Sequence, residues 1–219
     1  MDGLPAGVFV TGTGTEVGKT VVAAAIARTL ASEGRAVAVF KPAVTGLEEG
    51  VESDHELLRR ASGSGQTDAE IAPYRYDPPA SPHLAAALAG ERIDPEVLRQ
   101  AARAAGAGAE ALVCEGVGGL LVPLAADYLV RDLAVDLGLP LVVAASPGLG
   151  TINHTLLTVD SARAAGLEVA AVVLTPWPER PSEVEASNCE TIAALGDVEV
   201  LTLPQLDLAA PESWPGLRV

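Results

Sequence analysis

The stretch Val8-Phe9-Val10-Thr11-Gly12-Thr13-Gly14-Thr15-Glu16-Val17-Gly18-Lys19-Thr20 decides the fold. Its first four residues form an apolar, β-branched run that reads as a buried strand. A glycine-rich turn follows. From about Lys19 to Glu33 an Ala-rich pattern predicts a helix, stopped at Gly34. Strand, glycine loop and helix in that order predict a phosphate cradle; the alternative is a purely structural turn. Glycines let backbone N–H groups face phosphate oxygens, and the helix adds its positive N-terminal end. Lys19 can then reach the β- and γ-phosphates, and the Thr20 hydroxyl can hold Mg²⁺. Five residues separate Gly12 from Gly18, one more than in the common form of the loop.

Outward from this motif, apolar runs alternate with helical patterns, which predicts repeated βα units and a mostly parallel sheet. Further strands are expected at Ala36–Phe40, Ala111–Glu115, Leu141–Ala145, Val169–Leu174 and Val198–Leu203. Helices are expected from Ser53, where Ser53 and Glu56 have capping-box spacing, and after Ser81-Pro82 and Asp94-Pro95. Three more are expected at Leu129–Leu137, Thr151–Ala165 and Ser182–Leu195. Residues 62–80 and the Pro-rich tail after Pro204 read as irregular. The chain shows no internal repeat, so residues 1–219 are expected to form a single P-loop α/β domain, a mostly parallel central sheet flanked by helices.

Composition narrows the function classes. A formal net charge of −15 disfavours nucleic acid, which needs a basic stripe. No window is apolar and long enough to cross a bilayer. Met1-Asp2-Gly3-Leu4-Pro5 lacks the basic and apolar regions of a signal peptide. Cys114 and Cys189 have no paired spacing, so a disulfide framework is not expected and cytoplasm is the default. Of 14 basic residues only Lys19 and Lys41 are lysine, which points to two places that need a compact ammonium.

Carboxylates must complete an oxygen shell around Mg²⁺. Glu115 ends the apolar run Ala111-Leu112-Val113-Cys114 and precedes Gly116-Val117-Gly118-Gly119, a strand-end acid like a Walker B residue; the alternative is a solvated strand-end acid. Asp54 is a second candidate, although at a helix start it also suits the dipole. Lys41 follows Phe40 directly, and Pro42 restricts it, so its ammonium is expected beyond the sheet, aimed at a reacting phosphate. The alternative is an ordinary exposed lysine. His55, His83 and His154 have no zinc spacing and suit surface or capping roles. No GxSxG or Ser-His-Asp pattern occurs.

Taken together, these residues resemble the dethiobiotin synthetase family. The matching blocks are Val10–Thr20, Lys41-Pro42 with Thr45-Gly46, Ser53-Asp54, Ser81-Pro82-His83, Glu115–Gly119 and Gly150-Thr151-Ile152-Asn153-His154, in family order over about residues 8 to 205. The long phosphate loop is that family's own form. The resemblance implies an ATP- and Mg²⁺-dependent ligase that closes the cyclic urea of dethiobiotin from 7,8-diaminononanoate and CO₂. It implies Lys19 and Lys41 as catalytic charges and Thr20, Asp54 and Glu115 as metal ligands. Nucleotide contacts are implied for Gly14, Thr15, Glu16, Val17, Gly18, Lys19, Thr20, Glu115, Gly116, Val117 and Gly118. Base contacts are implied for Thr175, Pro176, Leu203, Pro204 and Gln205. Substrate contacts are implied for Thr15, Lys41, Thr45, Ser81, Pro82, Gly118 and Gly150-Thr151-Ile152-Asn153. The last segment would serve the neighbouring subunit of a homodimer; its bland alternative is a capped core helix.

Two departures leave the base open. Thr175-Pro176-Trp177-Pro178 stands where many members have Asn-Asp-like residues, and Pro204-Gln205-Leu206 stands for a Pro-aromatic-Leu-like segment. A competing class, the P-loop switch ATPases, often carries an extra lysine early in the loop; Gly12-Thr13-Gly14 has none. A larger amide-forming relative would need a glutaminase domain that 219 residues cannot hold.

Overall fold

A computed structural model describes residues 4–219; Met1–Gly3, part of the leaderless start expected above, lie outside them. In chain order the elements are β1 (Ala6–Gly12), α1 (Lys19–Ser32), β2 (Val37–Phe40), β3 (Ala43–Thr45), α2 (Asp54–Ser62), α3 (Asp68–Ile71) and β4 (Tyr74–Tyr76). They continue with α4 (Pro82–Leu88), α5 (Pro95–Gly106), β5 (Ala111–Gly119), β6 (Pro123–Ala125), β7 (Tyr128–Leu129) and α6 (Val130–Leu137). The last are β8 (Leu141–Ala145), α7 (Thr151–Ala164), β9 (Val169–Trp177), α8 (Glu183–Gly196) and β10 (Val200–Pro204).

Six strands form a parallel sheet in the order β10-β9-β8-β1-β5-β2. From β1 the chain crosses to β2 on one side, and later from β5 to β8 on the other. The order therefore reverses around β1, and the crevice beyond its carboxyl end is where such sheets bind ligands.

The strands alternate their side chains between two helical layers. Phe9, Leu112, Cys114, Leu141 and Val143 face one core cluster, which includes Leu98, Leu133, Val159 and Ile192 from the helices. Val8, Val10, Val113 and Val142 face the other, packed on Val22, Ala23 and Ile26 of α1 and Leu58 of α2. With aromatics at 3%, alanines of α1 are what let the helix lie close on the sheet. The edge strand β2 is covered rather than left open: the Gln66 side chain accepts from Val39 N (2.8 Å) and donates to Val39 O (3.0 Å).

Residues 62–80 are not wholly irregular. Thr67 and Glu70 build a capping box that starts α3, and β4 pairs with β3 in a small parallel ladder. β5 also runs past Glu115 to Gly119, because Gly119 pairs with Gly12 across a register shift. The tail holds only a short 3₁₀ turn at Pro211–Ser213, yet it is anchored: Leu217 is buried and its N–H donates to Thr29 Oγ1 at 2.9 Å. Among the described residues no helix is long and apolar enough to cross a membrane.

Candidate active site

The phosphate loop leaves β1 at Gly12, where Thr13 N donates to Ala144 O (3.1 Å) and ties it to β8. Gly18 closes the loop at φ +86°, and a Cβ there would lie 2.6 Å from Thr175 Cγ2. Only glycine meets both conditions. Glu16 takes the left-handed region without being glycine (φ 59°), a local cost of roughly 1–2 kcal/mol for an L-residue. Lys19 opens α1 and donates from Nζ to Gly14 O at 2.7 Å, so its ammonium folds back under the loop.

Lys41 is not an exposed lysine. It directly follows β2, is 3% exposed, and its backbone N donates to Ile71 O (2.8 Å). Its ammonium donates to Glu115 Oε1 at 2.6 Å and pairs with Asp54 Oδ2 at 2.7 Å. Glu115, wholly buried, stands in β5 opposite Val10. Thr20 Oγ1 donates to the same Oε1 at 2.9 Å. Asp54 is the first residue of α2, whose start is set by the Ser53–Glu56 capping box; Ser53 N donates to Glu56 Oε2 at 2.8 Å. Thus β2, β5, α1 and α2 each deliver one group to one point beyond the sheet.

The electrostatics follow from burial and pairing. Burial raises the Glu115 carboxyl above the usual carboxylate range, against the pull of Lys41. Burial opposes the Lys41 charge too, but Glu115 and Asp54 outweigh it and its pKa rises. Burial likewise works to raise Asp54, yet Lys41 holds it below its ordinary value. Lys19 is lowered by burial, with Glu115 pulling back and Lys41 adding to the fall.

A divalent cation fits this set. Glu115 Oε2 is a buried oxygen without a hydrogen-bond partner, on the carboxylate whose Oε1 accepts from Thr20 and from Lys41, the lysine that also pairs with Asp54. Among the described residues no group of three or more His, Cys, Asp or Glu side chains could hold an ion. Two carboxylates and a hydroxyl are what Mg²⁺ uses when substrate phosphates complete its shell.

A cavity of about 560 Å³ opens over these groups. It gathers Thr15, Glu16, Gly18, Lys19, Thr20, Lys41, Thr45, Asp54, Glu115, Val117 and Gly118, all expected from sequence. It also takes in Val21, Glu52, Leu57 and Leu208, which were not. Leu208 had no signal, being an aliphatic residue in a Pro-rich tail. Thr15 also lines a second hollow of about 440 Å³ with Leu121 and His154; Gly14, expected at the nucleotide, borders only this second hollow. Val17 packs under the loop, and Gly116 lies against Phe9 and Val130.

Other expected residues stand apart from the larger cavity. Ser81 and Pro82 begin α4 as its N-cap and first residue. Gly150 caps α7; Thr151 is buried and Oγ1-paired with Thr155 at 3.3 Å, Ile152 packs on the core, and Asn153 is exposed. Thr175 is buried against Gly18, Leu203 is in the core, and Pro176, Pro204 and Gln205 are exposed. His55 is buried with Nδ1 2.8 Å from Ser53 Oγ, a capping role, while His83 and His154 are exposed.

A parallel sheet with this loop at its switch point, and a buried acid on the neighbouring strand, defines a P-loop nucleotide-binding α/β protein. Residues 6–213 match a family model described as an AAA domain. The chain is 43% identical over 197 residues to the ATP-dependent dethiobiotin synthetase BioD of Anaeromyxobacter dehalogenans, covering 90% of this chain and 88% of that one. It is 38% identical to the protein of that name from Bacillus subtilis, over 89% and 85% of the two chains. To the one from Rhodococcus erythropolis it is 40% identical, over 89% and 86%. The chain belongs to the ATP-dependent dethiobiotin synthetase family.

Proposed function

We propose that the cavity over Lys19, Lys41, Asp54 and Glu115 is where this chain closes the urea ring of dethiobiotin. The chain is a dethiobiotin synthase, an ATP-dependent ligase of biotin biosynthesis. The observation that carries the assignment of the site is the Lys41 ammonium, buried between Glu115 Oε1 (2.6 Å) and Asp54 Oδ2 (2.7 Å) beside the phosphate loop.

One amine of 7,8-diaminononanoate captures CO₂ as a carbamate and loses a proton. A carbamate oxygen attacks the γ-phosphorus, and the bond to ADP breaks. The second amine attacks the carbonyl of the resulting carbamic–phosphoric anhydride, phosphate leaves, and a five-membered ring closes. Phosphoryl transfer of this kind needs positioning and charge stabilisation more than covalent help from the protein.

Thr20, Asp54 and Glu115 would hold Mg²⁺, which supplies charge neutralisation between the phosphates. The Lys41 ammonium, in the same cavity as Lys19, stabilises the charge that grows on the phosphoryl oxygens. Lys19 and the loop N–H groups of Gly14–Gly18 hold the β- and γ-phosphates. Thr15, Thr45 and Gly118 border the diamine and its carbamate, with Val117 and Gly116 behind. Ser81 and Pro82 support that wall. Thr175, Pro176, Leu203, Pro204 and Gln205 flank the base.

The reading extends to a homodimer. Gly150-Thr151-Ile152-Asn153 opens α7, and N–H groups at such a helix start suit a carboxylate, here that of the neighbour's diamine acid. Residues 1–219 act as one domain, in the cytoplasm, on small molecules rather than nucleic acid or membrane.

The test supplies diaminononanoate, bicarbonate, Mg²⁺ and ATP. Phosphate release that requires the diamine supports the reading. Release indifferent to the diamine, or stimulated only by a protein partner, contradicts it.

A further inference from the structure

The cavity has one wall that does not come from the sheet edge or its loops. Leu208, in the tail beyond β10, lines it together with Val21, Leu57 and Glu52. The tail reaches this place by its own anchors. Leu206 is buried in the core on the α1 side. Trp214 Nε1 donates to Asp207 O (2.7 Å), and Ala209 N to Asp207 Oδ1 (3.0 Å), which closes a turn at the cavity mouth. From the opposite side, Arg60 in the last turn of α2 donates from Nη2 to Leu208 O at 2.8 Å. The same guanidinium grips Glu52 with two bonds, Nε to Oε1 and Nη2 to Oε2, both 2.8 Å. A planar fork is suited to this double grip, and a lysine is not.

One side chain therefore joins two residues that face the cavity, Glu52 and Leu208, and it sits on the helix that begins with Asp54. The clasp is half exposed, so it adds little to stability. Its consequence is geometric. We infer that Arg60 is a positioning residue for the nucleoside end of the bound nucleotide, holding the tail wall at Leu208 against α2. This rests on the reading of the cavity as the nucleotide site. The phosphates meet the loop and Lys19 at one end; the ribose extends past Thr20 and Val21 along the Leu208 wall, which offers an apolar side chain, before the base leaves the cavity toward Thr175, Pro176, Leu203, Pro204 and Gln205.

The test compares two ligands in the presence of Mg²⁺ by calorimetry: adenylyl imidodiphosphate, and inorganic tripolyphosphate, which lacks a nucleoside. Arg60→Ala is expected to weaken the first about tenfold, the scale of one charge-assisted hydrogen bond, and to leave the second within about twofold. Arg60→Lys should restore only part of the loss. Glu52→Ala, which frees the guanidinium without removing it, should show the same split at smaller size. In turnover, the KM for ATP should rise while kcat and the KM for the diamine hold. An unchanged affinity for the nucleotide overturns the inference. An equal loss for both ligands also overturns it, since Arg60 would then serve α2 as a whole. If the wild-type protein binds neither ligand, the nucleotide reading of the cavity itself fails.

Discussion

Lys41 Nζ and Glu115 Oε1 lie 2.6 Å apart although 74 residues separate them in the chain. The pair is buried on both sides, at 3% and 0% exposure. A charge pair so deep is weak evidence for stability, because desolvation offsets much of the attraction. Its place beside the phosphate loop gives it a chemical reading instead.

Lys41→Met is expected to abolish ring closure while Mg·nucleotide binding stays measurable, since Lys19 and the loop amides remain. Removing one partner of a buried pair also costs stability, about 3 kcal/mol if Glu115 stays charged. The carboxyl already rises through burial and rises further without Lys41, so protonation should reduce that cost. Turnover and denaturant unfolding measured together check both halves; full activity would remove Lys41 from the reaction.

Glu115→Gln should move the Mg²⁺ titration of activity to concentrations higher by about tenfold, as one anionic ligand is lost. The titration is run at saturating nucleotide. A curve that coincides with wild type would take Glu115 out of the metal shell.

Gly18→Ala should fail for two separable reasons, the left-handed backbone and the contact 2.6 Å from Thr175 Cγ2. The backbone part alone is roughly 1–2 kcal/mol. Adding Thr175→Ser removes the methyl and should recover part of the loss but not all. Thermal unfolding of the single and double variants gives the coupling; strict additivity would mean that the methyl contact is irrelevant.

The Ser53–Glu56 box should make α2 acid-sensitive. The Ser53 backbone N–H, and then its hydroxyl, hold the Glu56 carboxyl below its ordinary value. A depressed folded pKa means stabilisation that is present above the unfolded value, near 4.5, and lost as pH falls through the folded one. Glu56→Ala, which removes both the bond from the Ser53 N–H and the bond from its hydroxyl, should cost up to about 1 kcal/mol near neutrality, and less below that window. Because the box sets where Asp54 begins the helix, the same variant should also weaken the Mg²⁺ response. A stability difference independent of pH would contradict the assignment.

Much of this was legible from residue order. The phosphate loop lies between strand and helix as its glycines and flanking apolar runs predict. Asp54 falls at a helix start because Ser53 and Glu56 announce one. Lys41 was legible as a residue but not in its surroundings: Pro42 pointed to a stub beyond the sheet, whereas Asp54 and Glu115 converge on it from elements distant in sequence. The ladder of Ala43–Thr45 with Tyr74–Tyr76 was invisible because three residues are too few for a period to show. The Thr67–Glu70 box could have been found by its spacing, but a four-residue helix has no apolar stripe to support it. Leu208 and Arg60 belong to contacts 148 residues apart, which local pattern does not reach.

The most direct test follows oxygen. With ¹⁸O-labelled CO₂, diaminononanoate, Mg²⁺ and ATP in a single turnover, the phosphate released should carry label from the carbamate oxygen that attacked phosphorus. Phosphate that instead takes its new oxygen from solvent water would mean that ATP is hydrolysed apart from ring closure, and the buried Lys41–Glu115 pair would have no carbamate to serve.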